Sequence, residues 1–209
     1  MSEFLRNQSC CDFVSALASA APVPGGGGAA AMAGALSAAL CSMAANLTVG
    51  KKKFISVEAD LKRIISENAE LSARLLALID EDALAFAPLA DAYSLPKDSP
   101  GYAETMRAAT LGACRAPMNI LRCCCEAVEL LAETENKCSR LMISDVACGA
   151  ALARAAIECA AANVFVNTRL LKGDEQAALL NDEVTQLLEK YIPMAQAIYN
   201  SVLNVLKEV

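Results

Sequence analysis

The sequence predicts an all-α protein, a multi-helical bundle of about six helices around a buried Ala/Gly-rich central helix. Three observations carry that reading. Hydrophobic residues make up 56% of the 209, yet aromatics only 4%, with no Trp. A core rich in Ala and Leu and poor in aromatic and β-branched side chains favours helix over sheet. Residues 29–49 contain no charge at all, between a four-glycine run and three consecutive lysines. A long stretch further on, 56–93, repeats its apolar residues at heptad spacing. One domain spanning 1–209 is expected.

Residues 3–20 form the first predicted helix, with Phe4, Leu5, Phe13, Val14 and Leu17 on its apolar face, ended by Pro22 and Pro24. Gly25 to Gly28 cannot hold a stable helix interior, so they read as a loop feeding the next helix. That helix, from about Gly28 to Val49, is apolar on every face and so must be surrounded. Its Ala and Gly insert weakly into lipid, and Ser37, Ser42, Asn46 and Thr48 interrupt it, which favours the centre of a bundle over a membrane span. Gly50 is its natural stop.

The third helix runs from Ser56 to about Tyr93, with Leu61, Asn68, Leu75, Asp82 and Leu89 at heptad intervals. Two polar residues therefore fall on a buried stripe. A lone Asn can fix helix register; a carboxylate there requires either an ion-pair partner or a functional purpose. Pro88 is expected to kink this helix. After a loop over 95–101, a helix from Tyr102 to Thr134 carries a second kink at Pro117. Ser144-Asp145 has the chemistry of a helix start. The helix beyond it reaches Lys172, with Asn163 and Asn167 one turn apart. Gly173-Asp174 closes it and caps a last helix running to the C-terminus with a break at Pro193.

Composition narrows the function. A net charge of −6 argues against a nucleic-acid or anionic-membrane surface. The N-terminus lacks a basic region followed by an apolar core, so a cytoplasmic protein is expected. The ten cysteines include the adjacent run Cys123-Cys124-Cys125 and no CxxC pair, and there is no histidine. Disulfide, zinc and iron–sulfur readings are therefore weak, a Glu-x-x-His di-iron bundle is excluded, and reduced, buried thiols are the simpler account. Acid–base chemistry must use Asp, Glu, Lys, Tyr, Cys or water. The glycine loop before a helix offers free amides to an anion, or is only a tight connection. It is no P-loop, because Gly50-Lys51 lacks both the earlier Gly and the following Ser or Thr. Lys51, Lys52 and Lys53 either balance a helix C-terminus or dock an anionic tail.

Several blocks resemble one family. Ala20-Ala21-Pro22-Val23-Pro24-Gly25-Gly26-Gly27, Asn46 to Phe54, Asp80-Glu81-Asp82-Ala83, Ser144-Asp145-Val146 and Asn163-Val164-Phe165-Val166-Asn167 look like the formiminotetrahydrofolate cyclodeaminase and methenyltetrahydrofolate cyclohydrolase family. The likeness spans about residues 10–172. Two positions depart from it: Gly28 stands where Ser is common, and Cys138-Ser139 where Gly-Asn is common. The resemblance implies an all-helical homodimer that binds a reduced folate, possibly polyglutamylated, at or near the subunit interface. It makes Asp82 and Asp145 the catalytic candidates. Gly25, Gly26, Gly27, Lys51, Lys52, Lys53, Asn163 and Asn167 become the substrate-binding candidates. No metal and no cofactor beyond the tetrahydrofolate substrate is expected. The implied reaction is hydrolysis of methenyltetrahydrofolate to 10-formyltetrahydrofolate. The alternatives are cyclodeamination of formiminotetrahydrofolate, with ammonia released, or a non-catalytic homologue.

Overall fold

The computed structural model describes residues 4–208; Glu3, inside the first predicted helix, and Val209 lie outside the described residues. Seven α-helices follow one another: α1 (Cys10–Leu17), α2 (Gly26–Asn46), α3 (Glu58–Tyr93), α4 (Tyr102–Ala113), α5 (Arg115–Glu135), α6 (Ile143–Thr168) and α7 (Glu175–Lys207). Short 3-10 turns precede α1, α3 and α6, and there is no strand among the described residues.

Helix α2 is the centre. It packs against α3 on one side, α6 on the other and α5 behind. Its small residues explain why so many helices share it: Ala30, Ala31, Ala38, Cys41, Ala44 and Ala45 are essentially without solvent exposure. Both flanking helices run antiparallel to α2. Along α3, Asn68 donates to Cys41 Sγ at 3.3 Å, while Asp82 stands against Gly27. Along α6, Ser37 Oγ donates to the Gly149 carbonyl at 2.9 Å, and beyond its start the Ser139 amide donates to Thr48 Oγ1 at 2.8 Å. These pairings fix which ends of the helices meet. α7 lies on α6 and α5, and α4 covers the C-terminal half of α3.

Glycine sets the close approaches. A Cβ on Gly34 would stand 2.7 Å from Cys124 Sγ and 3.2 Å from a Leu75 methyl. Gly34→Val is therefore expected to cost about 1–3 kcal/mol through overpacking. Urea unfolding checks this; an unchanged midpoint would show that α2 can move away from α3 and α5 at no cost. Length and hydropathy alone would let α2 and residues 140–168 cross a membrane. In the bundle both are central helices, each with one face left open.

Four boundaries differ from the sequence reading. Ser9 Oγ accepts from the Asp12 amide at 3.1 Å, and this N-cap divides the expected first helix into a 3-10 turn and α1. Gly26, Gly27 and Gly28 form the first turn of α2 rather than a loop, because tertiary contacts demand residues without side chains there. The expected 102–134 helix breaks at Cys114, so Pro117 falls in the first turn of α5, where a missing N–H costs nothing. Helix α7 runs unbroken through Pro193. Its flanks are held by buried Tyr191, Ala195, Ile198 and Val202, which outweigh one lost hydrogen bond.

The polar residue Asn68, fully buried at the heptad position, bonds both Cys41 and the Ile64 carbonyl at 3.0 Å. It pins α3 against α2, the register role its spacing suggested. Cys41, Cys114, Cys123, Cys124, Cys125 and Cys138 are buried and unpaired. Burial pushes all six thiols up, Cys114 and Cys138 to about 11 and Cys125 to about 12. They are inert core residues.

Candidate functional site

The N-terminus of α2 is where the chain collects its chemistry. A Cβ on Gly27 would lie well under 3.0 Å from both oxygens of Asp82, so only glycine lets the carboxylate lie against the backbone. Burial pushes the Asp82 carboxyl above its ordinary range; the nearby Gly28 backbone works in the opposite direction and only partly offsets it. Beside it, a Cβ on Gly26 would come within 2.9 Å of Asn163 Nδ2 and 3.1 Å of Oδ1. Asn163 donates to the Cys159 carbonyl at 2.8 Å, and both polar atoms of its amide lie against the glycine turn. A carboxylate and an amide side chain thus lie against adjacent glycines in the first turn of one helix. That spot can hold a cationic carbon, take a proton and return it.

The expected departure at Gly28 costs this arrangement little. Gly28 acts on Asp82 through its backbone, and a Cβ there would find ordinary contact, 3.4 Å from Pro24 Cβ. Cys138 and Ser139, the other departure, are buried in the connection before α6, where Ser139 serves Thr48.

The remaining predicted residues divide. Gly25 is the N-cap of α2, with nothing nearer to an added Cβ than the Pro22 carbonyl at 3.9 Å. Asn167 bridges helices: its Nδ2 donates to the Ala113 carbonyl at 3.2 Å, tying α6 to the end of α4. Asp145 lies in the first turn of α6, where it favours the helix dipole. Eighteen residues of helix separate it from Asn163, about 27 Å at 1.5 Å per residue. Lys51, Lys52 and Lys53 are exposed in the turn after α2, without an ion pair among the described residues. The length of α2, about 30 Å, separates them from Asp82. One subunit therefore brings together Asp82, Asn163 and the glycines, and puts Asp145 and the lysines at the other end.

Sequence spacing missed Asp80, which anchors the N-terminal segment rather than the site. Its Oδ1 accepts from the Leu5 amide at 2.7 Å, and its Oδ2 stands 3.4 Å from Arg6 Nε. Asp82, two residues on, drew notice in the sequence because it falls on the heptad stripe and Asp80 does not. Among the described residues no cluster of His, Cys, Asp and Glu is arranged to hold a metal.

A direct consequence concerns Gly27. Gly27→Ala is expected to displace the Asp82 carboxylate and lower kcat/KM by about 10²-fold or more, since small misplacements of a catalytic group are that costly. Steady-state assays check this; wild-type kinetics would show that the contact has no catalytic consequence.

Comparison with known proteins establishes the family. The chain is 37% identical over 200 residues to the methenyltetrahydrofolate cyclohydrolase of Methylorubrum extorquens, covering 94% of this chain and 96% of that protein. It is 27% identical to the mouse formimidoyltransferase-cyclodeaminase over 201 residues, or 94% of this chain, and spans 37% of that longer protein. The crystal structure of formiminotetrahydrofolate cyclodeaminase from Thermotoga maritima superposes with a TM-score of 0.82 at 25% identity, covering 97% of this chain and 98% of that one. The Formiminotransferase-cyclodeaminase family matches residues 9–186, and on this match, together with the cyclohydrolase relative, the chain belongs to that family.

Proposed function

We propose that the protein is a methenyltetrahydrofolate cyclohydrolase in which Asp82 moves the proton. The observation that carries the proposal is the Asp82 carboxylate, half-buried and pressed against Gly27 at the start of α2. Methenyltetrahydrofolate carries a positive charge on the carbon bridging N5 and N10, which a half-buried carboxylate attracts. Asp82 takes a proton from the attacking water, a tetrahedral carbon forms, and the proton passes to N5 as the C–N5 bond breaks. The hydroxyl proton leaves to solvent, and 10-formyltetrahydrofolate remains. Asn163 holds the substrate beside the glycine turn. No cofactor beyond the folate is needed.

The lysines enter from a second copy. Helix α2 leaves an uncharged face open, with Leu36 50%, Met43 49% and Leu47 44% exposed, and α6 continues it with Cys148, Cys159 and Val166. A contiguous apolar surface of this kind marks an interface. Pairing two copies of α2 antiparallel across a two-fold axis covers both faces. It also carries the partner subunit's Lys51, Lys52 and Lys53 to the Asp82 end. There they meet the glutamate carboxylates of the folate as point charges. Asp145 travels with the lysines and joins Asp82 only across subunits.

Cyclodeamination of 5-formiminotetrahydrofolate is the second reading, favoured by the likeness to the Thermotoga structure. It passes through a tetrahedral carbon between the same two nitrogens. A paired assay separates them. Loss of the near-ultraviolet absorbance of methenyltetrahydrofolate above the spontaneous rate supports the cyclohydrolase. Gain of that absorbance from 5-formiminotetrahydrofolate, with ammonia, supports the cyclodeaminase. Silence in both by folded protein overturns each.

A further inference from the structure

A cavity lies along α3 on the flank that carries Glu81, Ala85 and Pro88. It opens between α3, α4 and α5 with a volume of about 700 Å³, within the range of small-molecule sites. Ala85, Pro88 and Ala108 give it apolar walls; Glu81 and Arg115 stand among them.

Two residues of the chain give this cleft its shape and its charge. The first is Gly112. Inside a helix, glycine costs about 1 kcal/mol relative to alanine. Gly26, Gly27, Gly34 and Gly149 each have a neighbour closer than 3.0 Å to an added Cβ, so packing requires them. A Cβ on Gly112 would meet nothing within 4 Å. No protein atom needs the glycine, and its effect is to leave the cleft open.

The second is Arg115. Arg6, Arg63, Arg74, Arg107, Arg122 and Arg154 each have a carboxylate within 4.0 Å. Arg115, like Arg140 and Arg169, has none among the described residues; Arg115 lines this cavity, as does Glu81. The antiparallel course of α3 and α5 pairs Arg74 with Glu126; continued along both helices it sets Glu81 level with Asn119, one turn from Arg115. The guanidinium is therefore free for an anion, and the Glu81 carboxylate disfavours a second negative charge.

We propose that this cleft binds a small monocarboxylate with an apolar, ring-sized body, its carboxylate on Arg115 and its body over Gly112. The inference is independent of the folate reading.

The test is titration calorimetry of the full chain with 1-naphthaleneacetate and with its neutral amide, 1-naphthaleneacetamide. The acid is expected to bind once per chain, about tenfold tighter than the amide, the discrimination one charge-assisted contact gives. Gly112→Leu, whose Cβ meets no neighbour within 4 Å, projects a side chain toward the cleft and is expected to abolish binding with the circular dichroism spectrum unchanged. Arg115→Gln, a surface change that leaves folding intact, brings the acid down to the affinity of the amide. Asp82→Asn leaves both affinities as they are. Equal affinities in the wild type, absence of binding, retention in Gly112→Leu, acid preference surviving in Arg115→Gln, or loss in Asp82→Asn each overturns the proposal.

Discussion

Asp82→Asn is expected to lower kcat/KM for methenyltetrahydrofolate by about 10²–10⁴-fold, the usual contribution of a positioned base, while raising the melting temperature at neutral pH. The two effects have one cause. The carboxylate is desolvated, and its pKa in the folded protein lies above the ordinary value. For an acid this is the unfavourable direction: folding penalises the ionised form. The penalty is absent below the ordinary carboxylate pKa, appears as pH rises toward the folded value, and is fully present above it. Asparagine keeps the shape and removes the charge, so its stabilisation should be present at neutral pH and vanish on acidification into the ordinary carboxylate range. The same shift sets the pH dependence of catalysis. The acid limb of kcat/KM should titrate above an ordinary aspartate, since the base works only when ionised. A variant that is less stable than wild type across this range would mean that Asp82 holds the fold together, as a buried ion pair does. An active variant would remove Asp82 from the chemistry. Thermal melts at several pH values beside steady-state rates distinguish these outcomes.

The second large effect belongs to the other end of the molecule. Replacing Lys51, Lys52 and Lys53 together by Ala is expected to raise KM about tenfold or more with kcat little changed, because a glutamate tail is bound alike in ground and transition states. Removing the same cations should weaken the salt dependence of kcat/KM, since exposed charges are screened at physiological ionic strength. Stability should scarcely move, because the three side chains are exposed and make no ion pair among the described residues. A fall in kcat with KM unchanged would contradict a tail-binding role.

How much of this was legible beforehand depends on what each residue's signal measures. The all-helical class and the central uncharged helix follow from composition and periodicity, which are local properties. Asp82 was legible for the same reason, as a carboxylate on a heptad stripe. Its partner Gly27 was not, because a glycine run reads as a loop until one knows that α3 presses a carboxylate against it. The split between Asp82 and Asp145 was hidden too. Motif order along a chain says nothing about which helix ends meet, and only the antiparallel pairing of α6 with α2 separates them. Pro117 and Pro193 show the limit from the other side. The same residue starts a helix in one place and is absorbed in another, according to whether buried neighbours hold the flanking turns. Asn163 and Asn167 share one face and one spacing, yet one faces the glycines and the other bonds α4.

The claim on which the account rests is a site built from Asp82 of one subunit and the lysines of another. The measurement is subunit mixing. Asp82→Asn and the triple lysine variant, each nearly inactive at low substrate, are co-expressed with different tags and allowed to reassort. With equal amounts, half of the dimers are mixed, and in each of those one site has both its aspartate and its lysines. About one quarter of wild-type activity should then return, concentrated in the doubly tagged fraction. Activity no greater than the mean of the two separate variants would place every group of the site in one chain and contradict the account.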